Sequence, residues 1–256
     1  MRATSACSRG VQGESKVDYF GEQGRVRGST LFVASRPDRV RFDVFSPFGV
    51  TLSTLTSDGA DFALLDVSGK TFWAGPASEC NVARFLRVPV PPHALVTLLA
   101  GEGPVLVHEP SAATLEWDSG SYVIRIQSRH GASELIRLEP RPEDWDLNWA
   151  QQRTRVSEVQ VVQQGIELYR VDLSDFVSAH TAKPRVDPDG IDADLPPSGP
   201  VCDMEVPRRV RITSEASAQD VLLVHQELFL NPPLAPGVFH QTAPAGVKSR
   251  SAFCRR

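Results

Sequence analysis

Six histidines, His93, His108, His130, His180, His225 and His240, are the side chains best suited to proton transfer near neutral pH, and their spacing decides whether they act together. They are scattered: there is no His-x-x-x-His helix pair for a metal and no Gly-x-Ser-x-Gly elbow offering a nucleophile. His225 lies in the apolar run Val221 to Leu230, where a hydrogen-bonded core or rim histidine is the plainer reading. Asp144/Asp146 and Asp172/Asp175 are spaced as carboxylate pairs, but each sits in a polar stretch where solvation leaves nothing to raise a pKa. Asp187, Asp189, Asp192 and Asp194 invite a calcium reading. Ile191 occupies the third ligand position of an EF-hand and no glutamate closes the loop, so a solvated loop is expected. Gly13-Glu14-Ser15-Lys16 lacks the glycine spacing and the trailing hydroxyl of a phosphate loop. The cysteines Cys7, Cys80, Cys202 and Cys254 include no C-x-x-C, which argues against a structural zinc or a dithiol redox pair. In an oxidising compartment Cys80 and Cys202 could form one bridge; reduced buried thiols are the other reading. No catalytic residue, metal site or cofactor is expected, and the chain is not read as an enzyme.

Composition narrows the class. The 256 residues are 41% hydrophobic and 23% charged, the balance of a soluble globular chain with a sizeable core. With 20 prolines and 18 glycines against 2 methionines, many short strands and turns are favoured over helices. A net charge of −4, from 27 basic and 31 acidic residues, argues against a nucleic-acid partner, which needs a basic surface. No apolar run approaches the roughly 20 residues of a membrane helix.

The elements cluster around Arg39 to Gly103. Two β-favouring runs, Val40 to Phe45 and Val50 to Thr56, flank Ser46-Pro47-Phe48-Gly49, whose proline and glycine supply turn chemistry. Phe48 sits at the tip of that turn, either exposed or plugged beneath a neighbouring helix. Strand-like segments follow at Phe62 to Val67 and Lys70 to Ala74. Val82, Phe85 and Leu86 then lie at helical spacing until Pro89. A second helix opens at Pro91-Pro92, presents Leu95, Leu98 and Leu99, and ends at Gly101.

This order of strand, Pro-x-Gly turn, three strands, short helix, Pro-rich link, short helix and Gly resembles the LolA/LolB-like family of lipoprotein-localisation proteins, LolB most closely. The matching residues are Ser46-Pro47-Phe48-Gly49, Leu65 to Phe72, and Val88-Pro89-Val90-Pro91 through Leu98-Leu99-Ala100-Gly101. A second resemblance lies near the C-terminus, where Leu230-Asn231-Pro232-Pro233-Leu234 leads to Val238-Phe239-His240 and Ala243 to Val247. The resemblance implies a mainly β fold, one curved antiparallel sheet forming an unclosed barrel, with short helices over its concave face. It implies a periplasmic receptor that shields lipoprotein acyl chains and inserts the lipoproteins into the outer membrane. The implied partners are those acyl chains, a LolA-type carrier and the outer-membrane surface, with the protein itself a monomer. Phe48 would be the membrane-touching tip. Phe42, Val44, Leu52, Leu64, Phe85, Leu95, Leu98, Tyr122, Ile124 and Ile126 would line the acyl cavity. A non-enzymatic envelope module of the same fold that handles no lipid is the alternative.

The remainder fits a β domain over 24–256, with 1–23 disordered or truncated. Tyr122, Ile124 and Ile126 alternate with polar residues, Ile136 and Leu138 continue the pattern, and strand pairs follow at Val156 to Leu173 and Val210 to Leu230. Asp144 to Trp149 reads as a loop with two aromatic anchors, and 183–200 as a flexible loop. The start departs from the family: Thr4-Ser5-Ala6-Cys7 is faintly like a lipidation signal, but Thr4 stands where leucine is usual and no apolar stretch precedes it. Cys7 is therefore either a lipid attachment site behind a truncated signal or an ordinary residue.

Overall fold

Alternation of apolar and polar residues becomes β-structure almost throughout the computed structural model, which describes residues 7–21, 24–78, 80–82, 90–191 and 193–253. The first meander is β1 (Gly10–Gly21), β2 (Gly24–Ser35), β3 (Arg39–Phe45), β4 (Thr51–Ser57), β5 (Asp61–Asp66) and β6 (Thr71–Pro76). Helix α1 (Pro92–Leu99) lies between it and the second: β7 (Ala113–Asp118), β8 (Ser121–Gln127), β9 (Ala132–Pro140), β10 (Thr154–Gln163), β11 (Ile166–Thr181), β12 (Met204–Ser214) and β13 (Gln219–Leu230). A short β14 (Lys248–Ser251) ends the described chain. Together they make one 14-stranded sheet in the order β14-β6-β5-β4-β3-β2-β1-β13-β12-β11-β10-β9-β8-β7. Pairing is antiparallel except where β14 runs parallel to β6 and where β11 touches β13. The central seam joins β1 to β13, so the first described strand and the last long one hold the meanders together.

The sheet curls around α1. Laid flat, 14 strands would span about 60 Å, yet residues from β1 to β5 and from β8 to β13 share one apolar cluster with Leu95, Leu98 and Leu99 of α1. Its outermost strands β7 and β14 do not meet, so the barrel is open, as the sequence predicts. Helix α1 begins with proline in its first turn and stops where Gly101, at φ 78°, donates to the Leu98 carbonyl. All of α1 but His93 and Thr97 is buried. The preceding helix, expected through Phe85 and Leu86, falls outside the described residues beyond Val82.

Three expectations are corrected. Residues 10–21 are not disordered but form β1 in the middle of the sheet. Two of its inward positions, between Val11 and Val17, carry the small residues Gly13 and Ser15, which break the hydrophobic alternation: a Cβ at Gly13 would lie 2.9 Å from the Phe32 ring and 2.8 Å from Leu228. Cys202 bonds Cys7, not Cys80, and Cys80 is itself disulfide-bonded. A Cys7 sulfur held in that bridge has no valence left for a lipid thioether. Finally, Trp145 and Trp149 do not anchor their loop in a core; both are largely exposed. That loop is held instead by buried Asp144, whose carboxylate takes the Arg153 guanidinium at 2.7 Å and the Arg153 backbone N–H at 2.9 Å. These bonds keep the Asp144 pKa down at about 2.

The 183–200 segment is a folded excursion, with a bridge between Arg185 and Leu195 and another from Pro197 to Pro233. Buried Asn231 ties it to the start of the chain. Its side-chain amide donates to the Cys7 and Pro200 carbonyls, and its oxygen accepts the Arg9 N–H.

Candidate ligand-binding face and exposed tip

The sharpest local feature is the β3–β4 turn. Ser46 organises it: its carbonyl accepts the Gly49 N–H, its N–H donates to the Val50 carbonyl, and its hydroxyl accepts the N–H groups of Phe48 and Val50. Gly49 takes φ 76°, which the turn requires. The result holds Phe48 outward with 92% of its surface exposed, so Phe48 is a tip and not a core plug. Exposed Val50 stands beside it on the same turn. The next hairpin adds exposed Val67, whose N–H donates to the Leu52 carbonyl at the base of the turn. Sequence reading missed both valines, though their place at turn ends was visible.

The concave face is the other feature. Phe42 is buried and stacks on Phe32 at 5.9 Å between ring centroids. Leu95, Leu98 and Ile126 are buried in the same cluster, and Leu64, Tyr122 and Ile124 pack against it half-buried. Val44 and Leu52 are half-buried and stand outside that cluster. A register shift between Val44 and Phe45 leaves Leu52 without an opposite residue, while Val44, opposite Ser53, keeps the face of Phe42. Phe85 lies outside the described residues.

Two buried polar groups interrupt this apolar face. Ser15 and His225 share a hydrogen bond at 2.7 Å through the imidazole Nδ1, with the ring tilted against Phe32 at 5.3 Å. Burial pushes the His225 pKa down to about 4, so the ring is neutral at pH 7. A Ser–His contact suggests nucleophile chemistry, but both residues are sealed from solvent and, among the described residues, no carboxylate meets Nε2. Glu134 on β9 is likewise buried; its Oε2 accepts the Leu106 N–H at 2.9 Å, and among the described residues its Oε1 meets no hydrogen-bond partner. Burial raises its pKa to about 7. This contact fastens the chain leaving α1 across β9, where Gly103 packs against Ile136. Glu134 shares its face with Ile136 and Leu138, so strand alternation could have revealed it. Ser15–His225 could not be found that way, because the partners are 210 residues apart.

The architecture is an open sheet wrapped around a short apolar helix, with an aromatic tip at one hairpin. No family model and no curated protein matches the sequence. Solved structures match its shape. A LolA superfamily protein from Nitrosomonas europaea aligns over 91% of both chains at 10% identity and a TM-score of 0.52. A DUF1329 family protein from Desulfovibrio piger aligns over 91% of this chain and 90% of its own, at 9% identity and a TM-score of 0.54. The likeness is one of fold, and the fold is LolA-like.

Proposed function

We propose that this protein is a lipoprotein carrier or receptor of the bacterial cell envelope, which shelters acyl chains against its concave face and releases them at the outer membrane. The observation that carries this reading is the pairing of an apolar, helix-filled face with an outward phenylalanine on the same sheet. Each methylene of a lipid anchor costs about 0.8 kcal/mol in water, so two or three chains need a comparably apolar shelter to cross an aqueous compartment. Here α1 occupies the middle of that shelter. Acyl chains would take the place of Leu95, Leu98 and Leu99 against the sheet, exchanging one set of apolar contacts for another. Such an exchange has a small net free energy, which suits a protein that must also let go. Phe48 then supplies a brief foothold, since burying one such ring is worth about 1.5–3 kcal/mol. No chemical step is assigned, and the protein is read as a non-enzyme.

The disulfide between Cys7 and Cys202 favours an oxidising compartment such as the periplasm. The alternative, an envelope interaction module that handles no lipid, draws on the dense packing of α1, where Leu98 and Leu99 are fully buried. Purification from a lipoprotein-producing bacterial host followed by lipid extraction and native mass spectrometry tests the choice. Acyl chains in stoichiometric amount support the carrier; a protein that stays lipid-free and takes up no fluorescent lipopeptide is the module.

A further inference from the structure

The sheet stops at β7, and the two edges of the sheet are finished differently. At the far edge β14 is four residues long and carries Lys248 and Arg250, the latter lying over the Trp73 ring. Short length and basic residues are common ways to keep an edge from recruiting another strand. β7 has no lysine, proline or bulge. Its six residues pair in unbroken register with β8, and among the described residues no backbone hydrogen bond reaches its outer side.

Its side chains split cleanly. Ala113, Leu115 and Trp117 stand opposite Ile126, Ile124 and Tyr122, so they continue the apolar concave face. Among the described residues no further strand covers the outer two: Leu115 is 64% and Trp117 53% exposed. Trp117 meets Tyr122 edge-on at 4.7 Å and Trp145 at 6.0 Å, which extends the apolar rim onto the exposed 141–153 connection. On the opposite face, Glu116 pairs with Arg125 and Asp118 with Arg137. Each acid is thus the outermost charge of its row, with an arginine only on the inner side. A second copy of β7 laid antiparallel would set acids against acids on that face without a basic residue at the join, which disfavours self-pairing.

We propose that β7 is a strand-addition site for an extended segment of a partner protein in which apolar residues alternate with basic ones. Main-chain bonds to β7 give the affinity. The apolar residues prolong the concave wall beside Leu115 and Trp117, and the basic ones face Glu116 and Asp118. This interaction is separate from the acyl-binding reading and does not depend on it.

The probe is a short labelled peptide alternating valine with lysine, titrated into the full chain by fluorescence anisotropy, with hydrogen exchange followed at 113–118. Binding should protect those amides and weaken by at least about tenfold when alternate peptide nitrogens are methylated, because added strands bind through the backbone. The Glu116→Lys/Asp118→Lys variant should switch preference to the same peptide carrying glutamate in place of lysine. Both positions are exposed, and a circular dichroism spectrum and melting curve of the variant separate lost binding from unfolding. No binding at millimolar peptide, equal binding of the methylated peptide, or absence of the preference switch overturns the proposal. A dimer in sedimentation that the same variant abolishes overturns it too, since the occupant would then be a second copy.

Discussion

At Phe48 almost the whole ring meets solvent, so Phe48→Asp removes nothing from the core. Its melting temperature should match the parent within a degree or so, while transfer of bound lipopeptide into liposomes falls sharply and Phe48→Leu retains it. A large loss of stability in Phe48→Asp would contradict the tip assignment. Glu134 and His225 make opposing predictions about pH. The Glu134 pKa is raised to about 7, so between the ordinary carboxyl value and 7 the folded state holds a proton that the unfolded state has lost. Stability from this group is complete at low pH and drains away as pH rises through 7, by on the order of 3 kcal/mol. His225, lowered to about 4, runs the other way: its contribution is complete above the ordinary histidine value and is lost as pH falls toward 4. The two slopes offset each other. Glu134→Gln should therefore unmask a stability that rises with pH, gaining most over the parent at pH 8 and little at pH 5. His225→Gln should unmask the reverse slope. Urea unfolding at several pH values measures both, and unchanged profiles would mean that neither group titrates abnormally.

Among the elements, α1 is the piece whose removal the proposed function requires. Leu98→Ala should destabilise by about 2–5 kcal/mol, because a fully buried leucine leaves a void that its neighbours only partly fill. The same void should speed uptake of a fluorescent fatty acid, read by stopped flow; slower uptake would show that α1 forms the site instead of occupying it. The limits of α1 were legible in the sequence because Pro92 and Gly101 are backbone constraints that no tertiary contact overrides. The β3–β4 turn was legible for the same reason. β1 was not, since Gly13 and Ser15 are inward because a ring and an imidazole need the space, and that need arises from strands far along the chain. The unpaired position of Leu52 was not legible, because a one-residue register shift is silent in an alternation pattern. The tryptophans were misread because their exposure depends on where the sheet ends, which local pattern does not encode.

For the whole molecule, the bridge from Cys7 to Cys202 encloses 195 residues of separation. A cross-link of that span restricts the unfolded chain, and the Cys7→Ala/Cys202→Ala variant should lose roughly 2–5 kcal/mol in denaturant unfolding. A variant as stable as the parent would mean that the hydrogen bonds of Asn231 and Arg36 hold the start of the described chain without the bridge. The seam between β1 and β13 has a kinetic consequence. Ser15 and His225 sit side by side, yet nearly the whole chain lies between them. Each meander can form from neighbours, but the seam must wait for strands at both ends to meet, and such distant pairings slow folding. Until then, two half-sheets with open apolar faces coexist on one chain. Strand β1 is thus completed only by β13, a strand made long after it.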